Sequence, residues 1–119
     1  MEKKTKALEL EINLLHERIC SALGDSTRIM ILYLLKEKDM FVNEISEALD
    51  IPQSTISRHL RVLRERYLVD TDRQGTAVLY SLADDRIIQV LDIMRAILNE
   101  QIQKESAITK TISRSLKVI

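Results

Sequence analysis

Leu8, Ile12, Leu15 and Ile19 recur at i, i+4, i+7 and i+11, which predicts an amphipathic helix over about residues 4–21. Gly24 interrupts the stripe, and Asp25 or Ser26 offers an N-cap to a second helix, TRIMILYLLKEK. That segment is apolar on most sides and is expected to lie centrally in the core. VNEISEALD reads as a third, shorter helix with Val42, Ile45 and Leu49 on one face. Asp50-Ile51-Pro52 breaks it, because Asp tolerates the left-handed conformation and Pro suits the first turn of the helix that follows. A fourth helix is predicted from about Gln53 to Glu65.

Beyond it the period shifts from 3.6 residues to 2. Residues 68–73 and 76–82 read as two short strands joined by a hairpin turn at Gln74-Gly75. Asp84 or Asp85 then precedes a long last helix, RIIQVLDIMRAILNEQIQKE. In it Ile87, Ile88, Val90, Leu91, Ile93, Met94, Ile97 and Leu98 occupy more than one face. A terminal helix apolar on two sides must cover its own domain and a second surface, most simply another copy of the chain. The expected fold class is mainly α with a small β-hairpin, in the order helix, helix, helix, tight turn, helix, hairpin, helix. Residues 1–105 are expected to form one domain. Residues 106–119 form a polar tail with scattered Ile, Leu and Val that extends the helix, docks on the partner or stays mobile.

Composition narrows the picture. The chain has 119 residues, enough for a single domain. Two Gly, one Pro and 3% aromatics are few turn-formers, which favours long helices. The formal net charge is +0, so no global basic field marks a nucleic-acid partner. The charge is nevertheless segregated: five arginines against three acids give residues 51–82 a net +2, and residues 104–119 carry a net +3. Residues 21–50, with three basic and six acidic side chains, carry −3. A single Cys excludes a disulfide within one chain and fits a reducing compartment. The basic N-terminus has no uninterrupted apolar core, so it does not read as a signal peptide, and no apolar run approaches the ~20 residues of a membrane helix. A cytoplasmic protein with no membrane partner is expected.

The segment IPQSTISRHLRVL holds the candidate chemistry. On a helical wheel Ile56, Leu60 and Leu63 share one face, with His59 beside them. Ser54, Ser57, Arg58 and Arg61 lie opposite, with Gln53 and Arg64 toward one edge and Thr55 in the first turn. Small polar groups at the start and arginines further along suit a helix that enters a major groove by its N-terminal end. Gln and Ser can bond base edges, and Arg58 can fork onto guanine or grip phosphate. With the preceding short helix and the tight break this makes a helix-turn-helix. The hairpin tip, Arg73, Gln74, Gly75 and Thr76, would be a wing whose Arg73 reaches phosphate or minor groove. Taken alone, the arginines would more simply be a solvated face; helix-turn-helix followed by a hairpin shifts the balance toward DNA.

ALGDSTRIMILYLL, VNEISEALDIPQSTISRHLRVLRERYLV and DRQGTAVLYSL together closely resemble the ArsR/SmtB winged-helix regulators, over roughly residues 10–98. The resemblance implies a homodimer built on the first and last helices. Leu8, Ile12, Leu15 and Ile19 would then meet the partner together with Leu91, Met94 and Leu98. It implies a repressor that binds an inverted-repeat operator in double-stranded DNA and is released by a ligand.

The family's sensing residues are where this chain departs. Phe41-Val42-Asn43 stand where many arsenic, cadmium or lead sensors carry Cys-x-Cys. Asp84 and Asp85, followed by Arg86, Ile87 and Ile88, supply no imidazole where zinc, nickel and cobalt sensors carry Asp and His. Tyr33 and about Asn99 stand where dithiol sensors place their two Cys. No metal or other cofactor is therefore expected, and the effector is left open. Cys20 reads first as a small buried hydrophobe. A redox or effector role for Cys20 with His16, four residues earlier on the same face, is the sharper alternative. His59 is expected to pack or hydrogen-bond beside the fourth helix. No Gly-rich phosphate loop or nucleophile motif is present, so an enzyme is not expected. The rival to a switched regulator is a constitutive architectural or interaction protein using the same dimer.

Overall fold

A computed structural model describes residues 2–118. The chain divides into two compact units, 1–85 and 86–119. The first unit opens with α1 (Glu2–Leu15), none of whose side chains is buried. The single helix expected over 4–21 does not stay α throughout. His16–Cys20 forms a π-helical turn, closed by the Ser21 N–H on the His16 carbonyl at 2.9 Å. The Ser21 hydroxyl adds a bond to the Glu17 carbonyl. The i→i+5 bond inserts one residue into the α ladder, so the face set by Leu8 and Ile12 does not continue in phase beyond it. A short 3₁₀ turn, Ala22–Gly24, leads to Asp25.

Asp25, rather than Ser26, caps α2 (Ser26–Glu37): its Oδ1 accepts from the Thr27 N–H at 2.8 Å and the Arg28 N–H at 3.4 Å. Helix α2 buries Ile31, Leu32 and Leu35 but leaves Met30 half exposed. A two-residue strand, β1 (Met40–Phe41), follows. It is too short to leave a period in the sequence, and the expected hairpin is consequently part of a three-stranded sheet. Helix α3 (Val42–Leu49) starts with the Phe41 N–H bonded to Glu44 Oε1 at 3.0 Å.

Helix α3 ends in a Schellman arrangement. Asp50 turns left-handed at φ 53°, its N–H bonds the Glu47 carbonyl at 3.3 Å, and the Ile51 N–H bonds the Ser46 carbonyl at 3.1 Å. Pro52 stands at the N-cap of α4 (Gln53–Glu65), whose limits are those expected. Its carbonyl accepts from the Thr55 and Ile56 N–H groups at 3.0 and 3.1 Å.

The same motif recurs at the far end of α4. The Leu68 N–H bonds the Leu63 carbonyl at 2.9 Å, the Tyr67 N–H bonds the Arg64 carbonyl at 3.0 Å, and Tyr67 holds φ 61°. Asp is a common occupant of such a position; a bulky aromatic is not, and it costs about 1–2 kcal/mol of backbone strain.

Strands β2 (Val69–Gln74) and β3 (Ala77–Leu82) form the hairpin, with β3 central in the antiparallel order β1-β3-β2. Gln74 pairs with Ala77, so the turn residues are Gly75 and Thr76 rather than Gln74 and Gly75. Gly75 has φ 64° and stands at the first turn position, where the right-handed strand twist calls for a left-handed residue. Ile31, Leu32, Ile45, Ile56, Leu60 and Leu63 are the largest fully buried side chains, so three helices close one core.

The second unit is α5, which runs unbroken from Arg86 to Val118 and passes through residue 105 without interruption. Ile87, Ile88 and Leu91 are buried, whereas Val90, Ile93, Met94, Ile97, Leu98, Ile102, Ile108, Ile112 and Leu116 are largely exposed. Among the described residues no helix is long and apolar enough to cross a membrane.

Candidate nucleic-acid interface

Helix α4 is two-faced. Ile56, Leu60 and Leu63 are 0% exposed. Gln53, Ser54, Ser57, Arg58, Arg61 and Arg64 all face solvent, and Thr55 is half-buried at the edge. The Arg58 Nη2 donates to Thr55 Oγ1 at 3.3 Å, which carries the guanidinium back toward the helix N-terminus beside Ser54. The tight Schellman turn at Asp50 joins α3 to this helix, giving the helix-turn-helix its geometry. Arg73, Gln74, Gly75 and Thr76 are exposed on the wing, where Gln74 Nε2 donates to Asp72 Oδ2 at 3.4 Å. Among the described residues, no ion pair engages Arg58, Arg61, Arg64 or Arg73, so their charge is available to an external anion.

Three residues that sequence reasoning did not single out shape this surface. Arg28, on α2, donates from Nε to the Ala22 carbonyl at 2.7 Å and from Nη2 to the Ser21 carbonyl at 3.2 Å. Its Nη1 lies 3.3 Å from His59 Nδ1 on α4. A guanidinium can only donate, so the pair is a hydrogen bond in the tautomer whose Nδ1 accepts. The contact sets His59 of α4 against Arg28 of α2. Arg28 ties the segment leaving α1 to α4, but Arg28 and His59 are 31 apart in sequence and no local pattern links them. Tyr67 and Tyr80 were likewise missed. With Ser57, Arg61, Arg64 and Glu65 they line an open hollow of about 570 Å³ beside the exposed face of α4.

At the base of α2, partial burial pushes the Asp25 carboxyl up. The N–H bonds from Thr27 and Arg28, with the charges of His59 and Arg28, outweigh it and hold the group below its ordinary range.

The two residues weighed for a redox or effector role, Cys20 and His16, are placed differently from the simplest expectation. Cys20 is exposed rather than buried, because it closes the π-helical turn on a segment that buries no side chain. His16, at the start of that turn, is also exposed. Among the described residues no group of three or more His, Cys, Asp or Glu is placed to hold a metal ion. Of the side chains expected to meet a partner, Leu8, Ile12, Leu15, Met94 and Leu98 are between 43% and 55% exposed and Ile19 is half-buried. Leu91 is 3% exposed.

A helix-turn-helix followed by a β-wing, with the second helix anchored by one face and cationic on the other, defines a winged-helix DNA-binding regulator. Residues 25–71 match the family described as bacterial regulatory protein, arsR family. The chain is 39% identical over 95 residues to the HTH-type transcriptional regulator MJ1325 of Methanocaldococcus jannaschii, covering 79% of this chain and 97% of that protein. It is 42% identical over 71 residues to the HTH-type transcriptional regulator NmtR of Mycobacterium tuberculosis, covering 60% of this chain and 59% of that one. The chain thus spans under two thirds of NmtR's length. The homodimeric winged helix-turn-helix DNA-binding domain Mb0332 of Mycobacterium bovis superimposes with a TM-score of 0.66 at 27% identity, covering 80% of this chain and 85% of that one. The chain belongs to the ArsR family of winged helix-turn-helix transcriptional regulators. These proteins act by binding DNA and are not enzymes.

Proposed function

We propose that the chain is a cytoplasmic repressor that binds an inverted-repeat operator in double-stranded DNA as a homodimer. The observation that carries this reading is the two-faced α4. Its apolar side is fully buried, so the helix is rigidly held, while Gln53, Ser54, Ser57 and Arg58 are free on the N-terminal half of its exposed side. Gln53, Ser54 and Arg58 would read base edges; Thr55, Ser57, Arg61 and Arg64 would hold flanking positions; Arg73, Gln74 and Thr76 on the wing would reach the backbone or minor groove. The exposed stripe of Leu8, Ile12 and Leu15 on α1, continued by Ile19, and that of Met94 and Leu98 on α5 would meet their counterparts in a second copy.

Footprinting on genomic fragments tests the reading. The expected result is protection of two symmetric half-sites whose centres lie one helical turn, about 34–36 Å, or a multiple apart. Transcription from an overlapping promoter should fall as the protein is added. Uniform coating of any duplex, without half-sites, would instead establish the constitutive architectural role. A monomer at micromolar concentration by equilibrium sedimentation would remove the dimer from the proposal.

A further inference from the structure

The hollow beside α4 is built from side chains that share one chemistry. Ser57, Arg61 and Arg64 fall at i, i+4 and i+7 along one ridge of the helix. Tyr67 closes the hollow from the residue that ends the helix, and Tyr80 from the central strand β3, where it pairs with Met40 and Thr71. The side chains of Arg61, Arg64, Tyr67 and Tyr80 have no hydrogen-bond or ion-pair partner among the described residues. Two guanidiniums, two phenols and a serine hydroxyl therefore meet at one place with their donors unused. Glu65 is the only acid in the lining, so two arginines against one carboxylate leave a net formal charge of +1.

Tyr67 supplies a second, independent observation. It is 81% exposed, so its ring contributes little to the core, yet it holds φ 61°, where a glycine would sit without strain. Folding alone gives no reason to keep a bulky aromatic there. Residues held in costly backbone conformations concentrate at functional sites, and this one borders an unneutralised cationic hollow.

We propose that Arg61, Arg64, Ser57, Tyr67 and Tyr80 form a seat for one DNA backbone phosphate, flanking the bases read by the start of α4. This rests on the reading of α4 as the operator-binding helix. The hollow is open and polar, whereas small-molecule pockets are mostly enclosed and apolar, and this favours a phosphodiester over a small organic ligand. The arginines would supply charge, and the serine and phenols would fix the register of the backbone without adding charge.

The test uses the full chain and the footprinted operator duplex, with affinity measured over a series of chloride concentrations. Tyr67→Gly is expected to raise Tm, because it relieves the left-handed strain, and to weaken operator binding about tenfold through loss of a hydrogen bond to a charged acceptor. Its salt slope should match wild type, since no charge is lost. Tyr67→Phe, which keeps the ring, should also bind more weakly. Arg61→Gln should weaken all duplexes alike and lower the salt slope by about 0.9. Glu65→Gln should tighten binding. Duplexes carrying single methylphosphonates locate the seat: wild type should lose affinity at one flanking position per half-site, and Tyr67→Gly should lose less at that position.

Wild-type affinity in Tyr67→Gly and Tyr67→Phe, with the operator still footprinted, would overturn the phosphate seat and leave operator binding standing. A wild-type chain that binds no duplex would overturn operator binding itself. Displacement of the operator by inorganic phosphate, but not by chloride at matched ionic strength, would show that the hollow takes a free anion and would overturn the backbone assignment.

Discussion

Replacing Arg28 with Ala removes a side chain that joins the segment after α1 to α4. The charged Nε bond to the carbonyl of Ala22, itself 0% exposed, is the shortest contact at 2.7 Å, and leaves that acceptor without its donor when lost. A bond from an ionised donor is worth about 1.5–3 kcal/mol net. The contacts to Ser21 at 3.2 Å and to His59 at 3.3 Å are longer and partly hydrated, and add about 0.5 kcal/mol each. The expected loss is therefore about 3 kcal/mol, near 10 °C in Tm for a chain of this size. Urea unfolding followed by circular dichroism measures it, at one fixed protein concentration because dimerisation would otherwise shift the midpoint. Arg28→Lys keeps the charge but not the planar fork, and should recover less than half. His59→Ala, combined with Arg28→Ala in a double-mutant cycle, isolates the link between the helices. A loss below about 0.5 kcal/mol in Arg28→Ala, the range of an ordinary surface substitution, would refute the bridging role.

Asp25→Ala should cost about 1 kcal/mol as a lost N-cap. Because the folded state holds the Asp25 carboxyl low, its contribution is present above the unfolded carboxyl range and disappears as pH falls through the folded value. The stability gap between wild type and Asp25→Ala should thus close on acidification, and a gap that persists in acid would count against charge-assisted capping. Leu60→Ala, at a position with 0% exposure, should cost about 2–5 kcal/mol with an unchanged m-value in urea titration. Arg58→Ala should remove about 1–3 kcal/mol of operator affinity and relax the preference at one base pair, read by competition among single-base operator variants. Arg73→Ala should weaken all duplexes evenly and flatten the salt dependence by about one unit; an intact slope would exclude a wing–phosphate contact.

Much of the fold was legible because its signals are local. The limits of α4 follow from Pro52 before it and from the regular spacing of Ile56, Leu60 and Leu63 within it. Asp50 announced its left-handed turn by residue type. Strand β1 was not legible, since a two-residue strand exists only through its pairing with Tyr80 and Leu79, some forty positions away. The π-helical turn was hidden for a related reason. A stripe of Leu8, Ile12, Leu15 and Ile19 fits an α period closely, and one inserted residue at its end changes no residue type.

The site divides along the same line. The exposure of Gln53, Ser54, Ser57, Arg58, Arg61 and Arg64 on one face of α4 was readable from the wheel, because burial of the opposite face fixes where they point. Arg28 was not, because its role lies in reaching a neighbouring helix. Tyr67 was not, because a non-glycine gives no warning of a positive φ. Cys20 was expected to be buried from the general habit of a lone cysteine, but it lies on a segment that buries no side chain. Placed in the open, Cys20 stands two residues before the Ala22 carbonyl that Arg28 grips, and Arg28 in turn holds His59 on α4. The chain therefore has a hydrogen-bonded path from the end of α1 through Ser21, Ala22 and Arg28 to His59 on α4.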